Sequence, residues 1–350
     1  MIVFRVDSSE KIGSGHLMRC IALAEKLKTY DEVIFLSRNL PNNINNIVIK
    51  YGFKLFELPF VGQYKTWLGV PQCQDANETI SVLEKFFDIR CVIVDNYFID
   101  ELWEKKVKKI TPKLMVIDDL ANRKHYCDIL LDSSANNLLK YNNLINNNCD
   151  LFLGREFQIF RDEFYNEKGK IKPFNGKVNK ILISFGGSDP TNETSKVLGA
   201  ITKENFNNLI FYVVVGACNK HCEEIRIKLK DKANIKFLYQ VMNMAELLNE
   251  VDLCIGASGV SAWERVYMGK PSFCVCVASN QNMDIKKFSL GYPFIYLGNS
   301  DEVNGDTYRK AIKWSLSHSK DLINIHKKAL AFFKNNDSNI ENLIQKIVGE

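Results

Sequence analysis

No uninterrupted apolar stretch in this 350-residue sequence approaches the ~18 residues of a membrane span, so stable membrane insertion is not expected. An export leader is not expected either, because Arg5 and Asp7 interrupt the opening apolar run before a leader core develops. No block of lysine and arginine with interleaved aromatics is present, and a net charge of +5 is mild for this length, which argues against nucleic acid as a partner. The ten cysteines form no evident framework. Cys91, Cys254, Cys274 and Cys276 fall inside apolar runs and read as reduced core thiols of a cytoplasmic protein. Cys218-x-x-His221-Cys222 is the one cluster with ligand chemistry, and it lacks a second pair at zinc spacing, so no metal is expected. Also missing are the Lys-Ser/Thr of a Walker loop, the Gly-x-Gly-x-x-Gly dinucleotide fingerprint, and any repeat at the roughly 20 to 50 residue periods of solenoids.

What remains is an ordinary globular composition, 46% hydrophobic and 25% charged, in a chain long enough for two domains of about 150 to 180 residues. Apolar runs alternate with segments of helical periodicity twice over. In the first half, strands are expected at Met1–Val6, Glu32–Leu36, Phe53–Leu58, Cys91–Asp95, Lys113–Ile117 and Asp128–Leu131, with the asparagine-rich Tyr141–Asp150 as a surface loop. Lys170–Asn179 has the polarity of a linker. The second half then runs through strands at Lys180–Phe185, Leu209–Val215, Ile235–Leu238, Val251–Ile255 and Pro271–Val277. The expected organisation is therefore α/β: a Rossmann-like domain over 1–175, a second over 176–305, and C-terminal helices over 306–350.

Six stretches carry candidate chemistry. Ile12-Gly13-Ser14-Gly15-His16 joins the first strand to a helix whose apolar face includes Leu17, Cys20, Ile21, Ala24 and Leu27, which places His16 at the helix N-terminus. Such a turn exposes backbone N–H groups to an anion, and imidazole moves protons near neutral pH; a steric turn with a surface histidine is the plainer reading. Asp95-Asn96-Tyr97, Asp118-Asp119 and Asp132 end strands, and strand C-termini line the ligand crevice of a parallel sheet, although loop polarity or helix capping also explains Asp118, Asp119 and Asp132. Gly186-Gly187-Ser188-Asp189 and Ser258-Gly259-Val260-Ser261 each open a helix and suit a phosphate, with Glu264 within reach of a ribose diol. Steric turns and capping remain the alternative for both.

The motif series in its order is similar to a known family over residues 1 to about 290. Two glycine-turn halves with Gly-x-Gly-His in front and Ser-Gly-x-x-x-x-Glu behind resemble the GT-B architecture, including the transferase that adds N-acetylglucosamine to lipid-linked peptidoglycan precursor. Closer still are Arg5-Val6-Asp7-Ser8-Ser9 through Gly15-His16 and Arg19, Ile117-Asp118-Asp119-Leu120-Ala121, Cys127–Asp132, Arg161-Asp162-Glu163-Phe164 and Ser184–Asp189. Together they resemble the UDP-2,4-diacetamido-2,4,6-trideoxy-β-L-altropyranose hydrolases of pseudaminic acid biosynthesis. The resemblance implies two Rossmann-like parallel-sheet domains facing a central cleft. It also implies inverting, metal-independent release of UDP from a UDP-sugar by water, with no cofactor. By the same likeness the general base falls on His16, an active-site tyrosine on Tyr97, and a polar pair near the sugar on Asn280 and Gln281. Gly13, Gly15, Arg19 and Arg161 join the substrate-binding set, while uridine and diphosphate fall near Gly186, Gly187, Ser258, Gly259 and Glu264. Asn96 stands where a histidine can occur in the family and receives no proton-transfer role. A monomer is expected. A GT-B glycosyltransferase that passes the sugar to an acceptor, and a non-catalytic nucleotide-sugar-binding module, are the competing readings.

Overall fold

A computed structural model describes residues 1–62, 66–135, 137–204, 206–230, 232–277 and 292–349. Its inner strands are runs of apolar residues, buried along nearly their whole length as strands of a sheet covered on both faces must be, while the edge strands are partly exposed. In the first half these are β1 (Ile2–Val6), β2 (Val33–Arg38), β3 (Lys54–Leu58), β4 (Cys91–Asp95), β5 (Leu114–Ile117), β6 (Ile129–Asp132) and β7 (Asp150–Leu153). They form one sheet in the order β3-β2-β1-β4-β5-β6-β7, with every described pairing parallel. Helices α1 (Gly15–Leu27), α2 (Asn46–Lys50), α3 (Gln72–Leu83) and α4 (Glu101–Val107) connect them. The edge strand β7 was not expected. It begins at the last residue of the asparagine-rich loop, and its apolar run, Leu151-Phe152-Leu153, is only three residues long.

The second half contains α5 (Asp162–Lys168), β8 (Lys180–Ser184), α6 (Glu193–Thr202), β9 (Ile210–Val215), α7 (Cys222–Leu229), β10 (Ile235–Tyr239), α8 (Met244–Glu250), β11 (Leu253–Ala257), α9 (Val260–Tyr267), β12 (Ser272–Cys276) and β13 (Ile295–Asn299). Helices α10 (Gly305–Ser317), α11 (Ser319–Phe332) and α12 (Asn336–Val348) follow. Its sheet runs β10-β9-β8-β11-β12-β13, again parallel.

In both sheets the strand order reverses beside the first strand of the half, between β1 and β4 and between β8 and β11. At such a switch point the connections leave toward opposite faces and open a crevice at the strand C-termini. Gly256 shows how tightly the second pair approaches, since a Cβ there would lie 2.2 Å from the Ser184 carbonyl oxygen.

Two compact units result, Met1–Arg161 with Asn335–Glu350, and Asp162–Lys334. The division precedes the expected boundary at 175 because α5 buries Phe164 and holds α8, with the Asn249 side-chain amide donating to the Glu167 carbonyl at 3.1 Å. Nor do residues 306–350 form a segment of their own. Tyr308, Ile312 and Leu322 of α10 and α11 enter the second core, whereas Ile340, Leu343, Ile344, Ile347 and Val348 of α12 enter the first.

Candidate active site

At the end of β1 the chain reverses through Gly13, whose φ of +78° lies in the region glycine adopts without strain, and its N–H donates to the Ser9 carbonyl at 2.8 Å. Helix α1 starts at Gly15, so His16 is in its first turn as expected. Because β4 pairs with β1 in the register Val6 to Asp95, the carboxylate of Asp95 arrives beside that turn. His16 Nδ1 is 2.6 Å from Asp95 Oδ1. Arg19, one helical turn on, donates to the same carboxylate from Nε at 2.5 Å and from Nη2 at 2.7 Å. Burial alone would raise the Asp95 pKa, but the Arg19 charge and the hydrogen bonds with Arg19 and His16 more than offset it and hold the group well below the usual carboxylate range. An ionised carboxylate only accepts, so the His16 Nδ1 facing Asp95 donates in that hydrogen bond, and Nε2 is the ring nitrogen left clear of it.

Two rings flank the imidazole edge-on, Tyr97 with centroids 4.6 Å away and Trp67 at 5.9 Å, and these two stack on each other at 5.3 Å. Burial and then the Asp119 charge push the Tyr97 phenol up, so it stays a neutral hydrogen-bond donor. His16 is only 8% exposed, so the plainer reading of a surface histidine does not hold. Arg19, expected to bind substrate, is engaged inside the protein, since beyond Asp95 its Nη1 donates to Asp119 Oδ2 at 3.1 Å. Trp67 lies in a loop without periodicity and carried no sequence signal; Asp95 was legible only as one of several acidic strand ends.

The other strand-end aspartates are structural. Asp7 accepts from Arg5 at 2.6 Å and from the Asn96 amide at 2.9 Å, which also explains why an asparagine precedes Tyr97. Asp118 accepts from Arg123 at 2.6 Å, the Tyr141 hydroxyl at 3.0 Å and the Ala121 N–H at 2.9 Å. Asp132 takes Lys140 at 2.8 Å.

In the second unit, Gly186 has φ +85° and, with Gly187 and Ser188, stands exposed at the end of β8. The helix start behind this turn is not open to an anion. Buried Asp189 accepts from the N–H groups of Glu193 at 2.8 Å and Thr194 at 2.9 Å, so a carboxylate already caps α6. Helix α9 differs: Gly259 is its N-cap, no side chain caps it, and no acidic residue occupies its first turn. Ser258 is buried at the end of β11, and Glu264 is half-buried midway along α9. Buried Arg265 braces the turn, donating from Nη2 to the Ala257 carbonyl at 2.6 Å. Arg161 is half-buried immediately before α5. Asn280 and Gln281 lie outside the described residues.

No protein-family model matches the chain. It is 29% identical over 282 residues to the uncharacterized protein MJ1062 of Methanocaldococcus jannaschii, an alignment covering 77% of this chain but 54% of that protein, so the chain spans about half the length of that relative. It is 26% identical over 283 residues to the UDP-2,4-diacetamido-2,4,6-trideoxy-β-L-altropyranose hydrolase of Campylobacter jejuni, covering 80% of this chain and 93% of the relative. Among solved structures, MurG of Acinetobacter baumannii superposes with a TM-score of 0.65 at 13% identity, covering 99% of both chains. The two parallel sheets are those of the GT-B fold.

Proposed function

We propose that this protein hydrolyses a UDP-sugar, releasing UDP and the free sugar, and that its substrate is the UDP-2,4-diacetamido-2,4,6-trideoxyhexose for which the Campylobacter relative is named. The observation that carries the reading is the hydrogen bond from His16 Nδ1 to buried Asp95 at 2.6 Å, at the switch point of the first sheet. It leaves Nε2 free to take a proton from water, and Asp95 offsets the charge the ring then gains. Arg19 keeps Asp95 ionised and fixed. The attacking oxygen bonds to the anomeric carbon as the bond from that carbon to the diphosphate oxygen breaks, and the electron pair leaves with UDP. A diphosphate departs as a stable anion, so the protein's task at the leaving group is to hold charge. In this reading the uncapped start of α9, with Ser258 and Gly259, takes the diphosphate, the exposed Gly186–Ser188 turn lies beside it, and Glu264 accepts from the ribose hydroxyls.

The test is to incubate the protein with a panel of UDP-sugars and no acceptor, and to measure UDP and free sugar. Stoichiometric appearance of both supports hydrolysis. UDP release only when a saccharide or lipid-linked acceptor is added would assign the chain to the glycosyltransferases instead.

A further inference from the structure

The loops that follow β1, β2 and β3 enclose a cavity of about 180 Å³ in the first unit, and Trp67 forms one of its walls. The same indole meets the His16 ring at 5.9 Å, so the cavity opens one side chain away from the proposed base. Its lining is of two kinds. Leu40, Phe60 and Trp67 supply apolar surface, while Lys11, Asn42 and Thr66 supply hydrogen-bond donors. Thr66 Oγ1 is buried and has no hydrogen-bond partner among the described residues, a state that costs free energy unless something else fills the cavity and bonds to it. Asn42 holds a left-handed backbone at φ +54°, and its amide donates to Glu10 at 3.3 Å across the rim, which fixes the loop after β2 against the loop after β1.

We infer that this cavity is a specificity pocket for an N-acyl group on the sugar of the substrate, an inference that rests on the UDP-sugar reading above. An acetamido group has a carbonyl oxygen that accepts and a methyl that is apolar, and the lining offers a partner to each: donors on Thr66, Lys11 and Asn42, and carbon surface on Phe60 and Leu40. A sugar hydroxyl would reach the donors but leave the apolar wall uncovered. A purely apolar group would cover the wall and leave the Thr66 hydroxyl unbonded.

The experiment compares kcat/KM for UDP release from a UDP-2,4-diacetamido-2,4,6-trideoxyhexose and from its counterpart with hydroxyls in place of the acetamido groups. The wild-type protein should prefer the acetamido substrate by a factor on the order of 10 to 200, the range a shaped pocket gives for one or two small groups. Phe60→Ala and the isosteric Thr66→Val should each shrink that ratio by about tenfold, with thermal unfolding recorded to show that both variants fold. An unchanged ratio in two folded, active variants overturns the pocket and leaves the hydrolase reading standing. No UDP release by the wild type from any UDP-sugar overturns the hydrolase reading and the pocket with it.

Discussion

A neighbouring carboxylate fixes which ring nitrogen of a histidine faces inward, and at His16 Asp95 takes Nδ1 at 2.6 Å, the contact on which the proposed role of the ring as base rests. Replacing His16 with alanine should leave the fold and UDP affinity in place while kcat falls by a factor on the order of 10² to 10⁴, measured as initial rates of UDP release. Asp95→Asn keeps the volume but removes the negative charge that orients Nδ1–H, and should lower kcat on a similar scale with little change in UDP binding. A near-wild-type rate in either variant would remove that residue from the mechanism. In the second unit, Glu264→Ala should weaken UDP binding by about 1 to 3 kcal/mol, the loss of one hydrogen bond to a charged acceptor, read by calorimetry. His16 and Glu264 became candidates from the sequence because each stands at a fixed offset from a glycine turn. Asp95 was legible as a strand end but not as the partner of His16, since nothing local distinguishes it from Asp118 or Asp132, which prove to be structural.

Helix α4 is tied to the segment before β6 by buried charges. Glu104 accepts from the Tyr126 N–H at 2.5 Å and lies 2.7 Å from His125 Nδ1, while His125 Nε2 lies 3.7 Å from Asp118. Burial opposes a charge on His125, but Asp118 and Glu104 outweigh it and push its pKa up to about 9, from an ordinary 6.5. A pKa raised by folding means that the protonated form stabilises the native state. That contribution is complete below about pH 6.5 and is lost as the pH rises through about 9. The melting temperature should therefore decline over this window in the wild type, and the decline should be smaller in His125→Gln, which starts lower at pH 6.5. Parallel declines in both proteins would show that His125 does not carry the effect. The N-terminus of α6 teaches a related lesson: its glycine turn reads as a phosphate site, yet Asp189 takes the helix donors.

At the scale of the whole molecule, the last helix returns to the first unit. Five apolar side chains of α12 lie in that core, and the α12 C-terminal carbonyls accept from cations of the first sheet's connections, Arg90 to Val348 at 2.7 Å and Lys113 to Ile347 at 3.3 Å. Removing residues 335–350 should cost the first unit on the order of 5 kcal/mol or more, comparable to the stability of a typical domain, and limited proteolysis should then degrade residues 1–161 ahead of the second unit. Equal protease resistance in the truncated and full chains would contradict this. The reaction as a whole should survive exhaustive EDTA treatment, because the one carboxylate in the two turns assigned to phosphate, Asp189, is committed to capping α6. Loss of UDP release on chelation, with recovery on adding Mg²⁺ or Mn²⁺, would overturn both the metal-free step and that assignment.

The sequence by itself determined the alternation of strands and helices, the burial of the apolar runs, and the position of each glycine turn at a strand end. All of these follow from local periodicity and backbone freedom within a few residues. Cys91–Asp95 was legible to the residue, whereas β7 and β13 were not read as strands, because their apolar runs, Leu151–Leu153 and Ile295–Leu297, are short. Only the tertiary structure decided which strands are neighbours. Local pattern cannot say that β4 lies against β1 or that β11 lies against β8, because strand order is set by long crossover connections and by the packing of helices on both faces. That choice brings Asp95 to His16 and the Ser258 turn beside the Gly186 turn, and it assigns α12 to the first core.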